Sequence, residues 1–327
     1  MQKFGVSLLA AAALFTIAGA AQAQTVRIDG SSTVFPVTEA VAEEFQKANR
    51  NLKVTVGISG TGGGFKKFCR GETDIQNASR PILAGEMKDC KAAGVQFIEL
   101  PVAFDALTVV VHKNNPLNEI SIDDLKKMWE PAAQGKVMRW RDANPAFPDA
   151  PLQLFGAGAD SGTFDYFTEA VTGKSKSSRG DFTASEDDNV IVQGVSRATN
   201  ALGFFGYAYY EENKDKVKGL AISWKGGKAV SPSAANVLNG SYQPLSRPIF
   251  IYVNAKSLAK PEVKAFADFY MRNATKLVSE VKYVPLPPKA YEYNLAAMQK
   301  GRVGTKMGGE NKVGLTVEQL MSLEAKE

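Results

Sequence analysis

Residues 25–45, TVRIDGSSTVFPVTEAVAEEF, contain the pattern that decides the fold. The stretch begins with a short apolar segment, residues 25–29, in which β-branched residues favour a strand. It ends with Val37, Val41 and Phe45, whose spacing is that of one face of a helix. Between them stands Gly30-Ser31-Ser32-Thr33. The stretch therefore predicts a strand, a loop rich in hydroxyl groups and a helix, in that order.

The same order of strand, loop and helix recurs at two later places. One loop is Ser59-Gly60-Thr61-Gly62-Gly63-Gly64, which follows a predicted strand at 52–58. The other is Gly156-Ala157-Gly158-Ala159-Asp160-Ser161-Gly162-Thr163, between a strand at 152–155 and a helix at 164–171. Further short strands are predicted at 74–78, 97–103, 107–112, 203–209 and 248–253. Strands that alternate with helices along the chain indicate the α/β class.

The composition excludes several classes of function. The chain has 327 residues, enough for about two domains, and a formal charge of +5 without a run of like charges. Clustered Lys and Arg are needed to hold a phosphate backbone, so we expect no nucleic-acid partner. One His and two Cys are too few for a zinc site. We expect neither a metal nor another cofactor.

The first 23 residues have the features of an export signal. Lys3 supplies a positive charge, residues 4–21 are almost wholly apolar, and Ala21-Gln22-Ala23 fits a signal-peptidase site. We expect residues 1–23 to be removed and the mature, periplasmic protein to begin at Gln24. In an oxidising compartment, Cys69 and Cys90 are expected to form a structural disulfide, with two buried free thiols as the alternative.

The three loops share one chemistry. Each offers backbone N–H groups at the positive end of a helix, glycines that permit close approach, and hydroxyl donors. Any one of them could be an ordinary cap or turn, but together they would surround a small oxyanion. Arg80, after the strand at 74–78, adds a candidate charged donor, with a surface salt bridge as the alternative. Asp160 stands beside the third loop as either a helix cap or an acceptor of a ligand proton.

Catalytic and nucleotide-binding motifs are incomplete. The last three positions of a nucleotide-binding P-loop are matched by Gly173-Lys174-Ser175, but Thr168 stands where the motif requires its first glycine. No Gly-x-Ser-x-Gly elbow surrounds Ser59 or Ser161, and a Ser-His-Asp triad would require His112, at the end of an apolar strand. We expect a binding protein without enzymatic activity.

Four stretches in order resemble the signature motifs of periplasmic phosphate-binding proteins, the substrate-binding subunits of the high-affinity phosphate ABC transporter. They are Gly30-Ser31-Ser32-Thr33-Val34-Phe35-Pro36, Ser59-Gly60-Thr61-Gly62-Gly63-Gly64-Phe65, Asn77-Ala78-Ser79-Arg80-Pro81 and Asp160-Ser161-Gly162-Thr163-Phe164. The resemblance implies a two-lobed, hinged α/β fold of the periplasmic-binding-protein type (type II). Carried over by position, it implies that phosphate contacts Ser32, Thr33, Ser59, Ser161, Gly162 and Thr163.

The chain departs from one pattern of that family, because Ala157 and Arg80 stand where some relatives have Arg and Asp, respectively. The expected phosphate-binding set is therefore Ser32, Thr33, Ser59, Gly60, Arg80, Asp160, Ser161, Gly162 and Thr163. Asp160 is expected to accept the proton of phosphate and so to reject sulfate, with Asp29 or Asp74 as the next candidates.

The predicted lobes are residues 24–102 with 250–327, and residues 103–249. The expected protein is a monomer that delivers inorganic phosphate to an inner-membrane permease. Two alternatives remain open at this point. The ligand could be another tetrahedral oxyanion, such as sulfate, phosphite or arsenate, or the protein could be an exported phosphomonoesterase.

Overall fold

A computed structural model describes residues 24–323, which form a mixed α/β structure. The strands are β1 Gln24–Gly30, β2 Leu52–Val56, β3 Ile75–Ala78, β4 Phe97–Ala106, β5 Thr108–His112, β6 Glu119–Ser121, β7 Gln153–Ala157, β8 Thr183–Ser185, β9 Ala201–Phe205, β10 Val217–Gly219, β11 Ala221–Ser223, β12 Ser246–Asn254 and β13 Val284–Pro285. The helices are α1 Phe35–Ala48, α2 Gly60–Cys69, α3 Ala84–Ala92, α4 Ile122–Trp129, α5 Trp140–Ala143, α6 Gly162–Thr172, α7 Asp188–Arg197, α8 Tyr207–Glu212, α9 Ala234–Leu238, α10 Pro261–Glu280, α11 Pro288–Gln299 and α12 Val317–Met321.

Two larger sheets organise the described part of the chain, and β6 and β11 pair in a small third sheet. The first sheet has the strand order β13-β4-β12-β3-β1-β2, and the second has the order β10-β5-β9-β7-β8. The chain passes from the first sheet to the second between β4 and β5, and it returns to the first sheet at β12. Because β1, β2 and β3 run parallel, the loops that follow them emerge at one edge of the first sheet.

The predicted strand-loop-helix units are all present. In α1, Val37, Val41 and Phe45 are buried, and proline is tolerated in the first turn as the sequence indicates. In α6, the helix ends at Gly173, whose φ of 84° is the left-handed conformation that favours glycine at a helix end. The alternation of apolar strands with amphipathic helices thus gives the expected α/β class.

Two predicted strand boundaries are wrong. The strand predicted at 97–103 continues to Ala106, and its register with β12 shifts between Ile249 and Phe250, opposite Ala103 and Pro101. A bulge tolerates a residue without an N–H, so β4 passes through Pro101 without ending. The aromatic stretch predicted as a strand at 203–209 changes to helix α8 at Tyr207, where the Tyr207 N–H donates to Asp105 Oδ1.

The predicted disulfide between Cys69 and Cys90 is confirmed, and it joins the end of α2 to α3. The predicted signal peptide, residues 1–23, lies outside the described residues. Between residues 24 and 323, no helix has both the length and the apolar character needed to span a bilayer.

Candidate functional site

The loops before α1, α2 and α6 meet in the interior. The hydroxyl groups of Thr33 and Thr163 lie 2.9 Å apart, and the N–H of Gly62 donates to the carbonyl of Asp160 at 2.7 Å. The contact at Gly162 is so close that a Cβ there would stand 2.5 Å from Thr61 Oγ1. The N-termini of α1 and α2, which follow strands of the first sheet, therefore face the N-terminus of α6, which follows a strand of the second sheet. Their dipoles converge on a place suited to an anion.

Hydroxyl groups line this junction. Thr33, Thr61, Ser79 and Thr163 are all 0% exposed, although each carries a polar side chain. Thr61 Oγ1 lies 3.2 Å from Ser79 Oγ and accepts the Ser79 N–H at 3.1 Å. Ser161 Oγ accepts the N–H of Thr163 at 3.1 Å and caps α6. Buried hydroxyls of this kind can turn to donate to a ligand without rearranging the backbone.

Arg247, at the start of β12, places its guanidinium among these hydroxyls. Its Nη2 donates to Thr163 Oγ1 at 2.8 Å and lies 3.4 Å from Thr33 Oγ1, while Nη1 donates to the carbonyl of Gly162 at 3.2 Å. Asp105 at the end of β4 pairs with it at 3.0 Å, and both side chains are almost wholly buried. The pair fixes a positive charge where the helix ends converge.

Asp188, the first residue of α7, brings a carboxylate to the same region. Its Oδ1 accepts the Ser32 hydroxyl at 3.2 Å, whereas its Oδ2 is buried without a hydrogen-bond partner among the described residues. Burial raises the pKa of Asp188 to about 7, and the nearby backbone N–H of Gly206 and the Ser32 hydroxyl oppose that shift. A buried carboxyl oxygen without a partner can accept a hydrogen bond from a ligand or, when protonated, donate one.

Arg247, Asp105 and Asp188 were not predicted from the sequence. A signal for Arg247 exists, since it is the single charged residue of residues 246–254, SRPIFIYVN. The signal for Asp105 is weaker, because its strand, FIELPVAFDA at 97–106, also contains Glu99. Asp188 stands in the acidic run Glu186-Asp187-Asp188, which reads as an ordinary helix start.

Of the expected site residues, the structure brings Ser32, Thr33, Ser161, Gly162 and Thr163 to the junction. Ser59 lies nearer the surface, and its hydroxyl bonds to Asp29. Gly60 is required where it stands, because its φ is +74° and a Cβ would approach the carbonyl oxygen of Asp160 to 2.5 Å. The Ser-Gly-Thr loop thus presents Thr61, rather than Ser59, to the buried hydroxyls.

The candidate carboxylates of the sequence analysis have partners elsewhere. Asp160 forms a partly exposed ion pair with Lys66 at 2.9 Å. Asp29 bonds to Ser59 and to Lys67, and Asp74 pairs with Lys260 at 2.7 Å. Among the carboxylates considered, Asp188 is the one that bonds to a hydroxyl of the loop before α1 and keeps an unpaired oxygen.

Arg80 is buried in a cluster of its own. Its Nε donates to Asp165 at 2.6 Å, and its two Nη atoms donate to Glu86 at 2.8 and 2.7 Å. A further Nη1 bond reaches the carbonyl of Pro81 at 3.0 Å. Burial lowers the pKa of Arg80, but the two carboxylates outweigh it and the pKa is raised overall. Four of the five guanidinium N–H groups therefore have acceptors within the protein.

Comparisons with known proteins place the chain in a family. Residues 16–274 match a family described as a PBP superfamily domain. The chain is 54% identical over 315 residues to Protein SphX of Synechococcus elongatus, which covers 96% of this chain and 93% of that protein. It is 39% identical over 272 residues to the Phosphate-binding protein PstS of Staphylococcus saprophyticus, covering 81% of this chain and 82% of that protein.

A solved structure gives the same result. The crystal structure of a possible phosphate binding protein from Planctomyces limnophilus aligns with a TM-score of 0.62 at 46% identity, and it covers 86% of this chain and 99% of that one. The two-lobed α/β architecture of the periplasmic-binding-protein type, expected from the sequence, is confirmed.

Proposed function

Because the chain belongs to the PstS family of phosphate-binding proteins, within the PBP superfamily, we propose that it binds one inorganic phosphate ion at the junction of α1, α2 and α6. It is a solute-binding protein rather than an enzyme, as its relatives are. The proposed ligand set is Ser32, Thr33, Thr61, Ser79, Ser161, Gly162, Thr163, Arg247 and Asp188. Four other residues expected from the sequence are proposed to shape or close the site rather than to contact the ligand; they are Ser59, Gly60, Asp160 and Arg80.

One observation carries this proposal. The guanidinium of Arg247 is buried within hydrogen-bond distance of Thr163 Oγ1 and 3.4 Å from Thr33 Oγ1, at the N-termini of two helices. A fixed positive charge, two helix dipoles and several hydroxyl donors favour an anion with many oxygens. Asp105 balances the charge of Arg247 in the absence of ligand, so the buried guanidinium does not stand unpaired.

Asp188 is proposed to provide selectivity. Near neutral pH phosphate retains an O–H group, whereas sulfate has none. The unpaired Oδ2 of Asp188 would accept that O–H from phosphate but would face a sulfate oxygen with no proton between them. Such an unpaired buried contact costs several kcal/mol, enough for strong discrimination. Arsenate carries the same proton and is expected to compete.

The two proposed lobes are residues 24–102 with 250–327, and residues 103–249. Both boundaries fall within β4 and β12, where the register of the two strands shifts between Ile249 and Phe250. A bulge interrupts the regular ladder and is a suitable place for a hinge. Closure of the lobes would bring Thr33 of the first lobe against Thr163 and Arg247 of the second.

The proposed location and partner follow from the family. A PstS-type protein that carries residues 1–23 as an export signal would be periplasmic, and it would act as a monomer that gives up phosphate to an inner-membrane ABC permease.

Calorimetry on phosphate-stripped protein tests the proposal. We expect one phosphate per chain, competition by arsenate, and weak or no binding of sulfate. A chromogenic phosphate ester should not be hydrolysed, which separates the proposal from a phosphomonoesterase. The absence of any heat at millimolar phosphate would exclude phosphate as the ligand.

A further inference from the structure

Arg80, Glu86 and Asp165 form a buried ionic cluster that joins the two proposed lobes. Arg80 follows β3 and Glu86 lies on α3, whereas Asp165 lies on α6, after a strand of the second sheet. The side chains of Arg80 and Asp165 are each 1% exposed, and that of Glu86 is 18% exposed. The bond of 2.6 Å from Arg80 to Asp165 is therefore an interior ion pair between residues that a hinge motion would separate.

We infer that this cluster is a latch: the Arg80–Asp165 pair forms on closure, stabilises the closed form and slows release of the ligand. The inference rests on the proposed function, because it assumes that the lobes close on a ligand. The inference gives Arg80 a positioning role. This role agrees with its hydrogen bonds, because four of its N–H groups donate to Glu86, Asp165 and Pro81.

The two partners of the latch differ in what their loss would do. In an open form, Asp165 is hydrated and Arg80 keeps both bonds to Glu86, so neither charge is isolated. In the closed form, Asp165 Oδ1 has no hydrogen-bond partner among the described residues, and Lys176 is 3.8 Å from it. Removal of Arg80 would leave the buried carboxylate of Asp165 with Lys176 at 3.8 Å as its nearest cation, beside the partly exposed carboxylate of Glu86. Removal of the Asp165 charge would leave Arg80 still paired with Glu86.

This asymmetry is testable with Asp165→Asn, Arg80→Gln and the double variant. We expect Asp165→Asn to release phosphate about tenfold faster, with an unchanged ratio of phosphate to arsenate affinity. Arg80→Gln should weaken phosphate binding by about a hundredfold, because closure would then bury the charge of Asp165 beside that of Glu86 without the guanidinium between them. The double variant should return to the level of Asp165→Asn, since a neutral Gln–Asn contact removes that repulsion. A double variant as weak as Arg80→Gln would instead show that Arg80 contacts the ligand, and would overturn the latch.

Lys66→Gln is the matched control. Lys66 and Asp160 also link α2 to the loop before α6, but their side chains are 64% and 42% exposed. An exposed pair contributes about 0.2–1 kcal/mol, so release should change by less than about fivefold. Small-angle scattering of the ligand-free proteins measures how far the lobes are open without any phosphate. It therefore tests the latch even if phosphate is not the ligand. Asp165→Asn should be more open than the wild type, and identical scattering with unchanged release would overturn the inference.

Discussion

The hydroxyl groups of Thr33 and Thr163 lie 2.9 Å apart, although 130 positions separate the two residues along the chain. Thr33 precedes α1, beside the first sheet, and Thr163 is in the first turn of α6, beside the second. Arg247 lies within 3.4 Å of both hydroxyls. An anion bound here would take donors from both proposed lobes at once, so its binding energy would favour their closure.

The Thr33→Val variant should bind phosphate more weakly by roughly 1–3 kcal/mol, because valine keeps the shape of threonine but removes a buried hydroxyl partner. Thr38→Val is the control, since Thr38 is also buried on α1 but bonds to Asn77 at 2.9 Å. The control should lower stability and leave phosphate affinity unchanged. Calorimetry measures both, and equal affinities of Thr33→Val and wild type would place the ligand elsewhere.

Replacement of Arg247 should have a larger effect. Arg247→Met removes a buried charged donor at the junction and should cost on the order of 2–5 kcal/mol of phosphate binding, with Arg247→Lys restoring part. Arg247→Met leaves the buried carboxylate of Asp105 without its cation, which could prevent folding. The double variant with Asp105→Leu removes that charge as well, and it should fold without binding phosphate. Arg179→Lys, a change at a buried arginine paired with Asp181, is the control. Tight phosphate binding by the folded double variant would exclude Arg247 as a ligand.

The disulfide should stabilise the protein without setting its selectivity. Cys69 and Cys90 are 21 residues apart, and closing a loop of that size lowers the entropy of the unfolded chain by an equivalent of roughly 3 kcal/mol. The Cys69→Ser/Cys90→Ser variant should melt at a lower temperature and retain its preference for phosphate over sulfate. Two reactive thiols in freshly purified, denatured wild type would contradict the disulfide.

The strand-loop-helix units could be predicted because their signals are local. Within each unit the apolar spacing and the loop lie within about twenty residues, so the local pattern alone indicates the elements. The extension of β4 from the predicted end at 103 to Ala106 could not be predicted in this way. It depends on pairing with residues 246–248 of β12, about 140 positions later in the chain.

The candidate site was predictable only where it consists of loops. Ser32, Thr33 and Ser161–Thr163 carry their signal in the motif itself. Arg247 and Asp188 reach the candidate site from β12 and from α7. The charge of Arg247 in an apolar strand is a local signal, but no local pattern shows which distant residues it contacts. The role of Arg80 depends equally on Asp165, 85 positions later in the chain, which turns an expected ligand contact into an ion pair.

Asp188 should make stability depend on pH. Burial raises its pKa to about 7, above the value of about 4 of an unfolded carboxyl group, so the folded protein binds more protons between these values. The contribution of Asp188 to stability is therefore greatest below about pH 4 and is lost as the pH rises towards 7. In ligand-free protein, Asp188→Asn should flatten this fall in denaturant titrations at several pH values. Asp187→Asn is the matched control, because asparagine also caps α7.

Asp188→Asn should also change which oxyanion binds. The amide has the shape of the carboxylate but can turn an N–H towards the ligand, so it would accept a sulfate oxygen and lose the acceptor for the phosphate O–H. We expect weaker phosphate binding, measurable sulfate binding, and a fall in the phosphate preference of about a hundredfold or more, equivalent to about 3 kcal/mol. Asp160→Asn alters only a partly exposed ion pair and should keep the selectivity of the wild type. In competition calorimetry with both ions, rejection of sulfate by Asp188→Asn together with its admission by Asp160→Asn would assign the acceptor to Asp160.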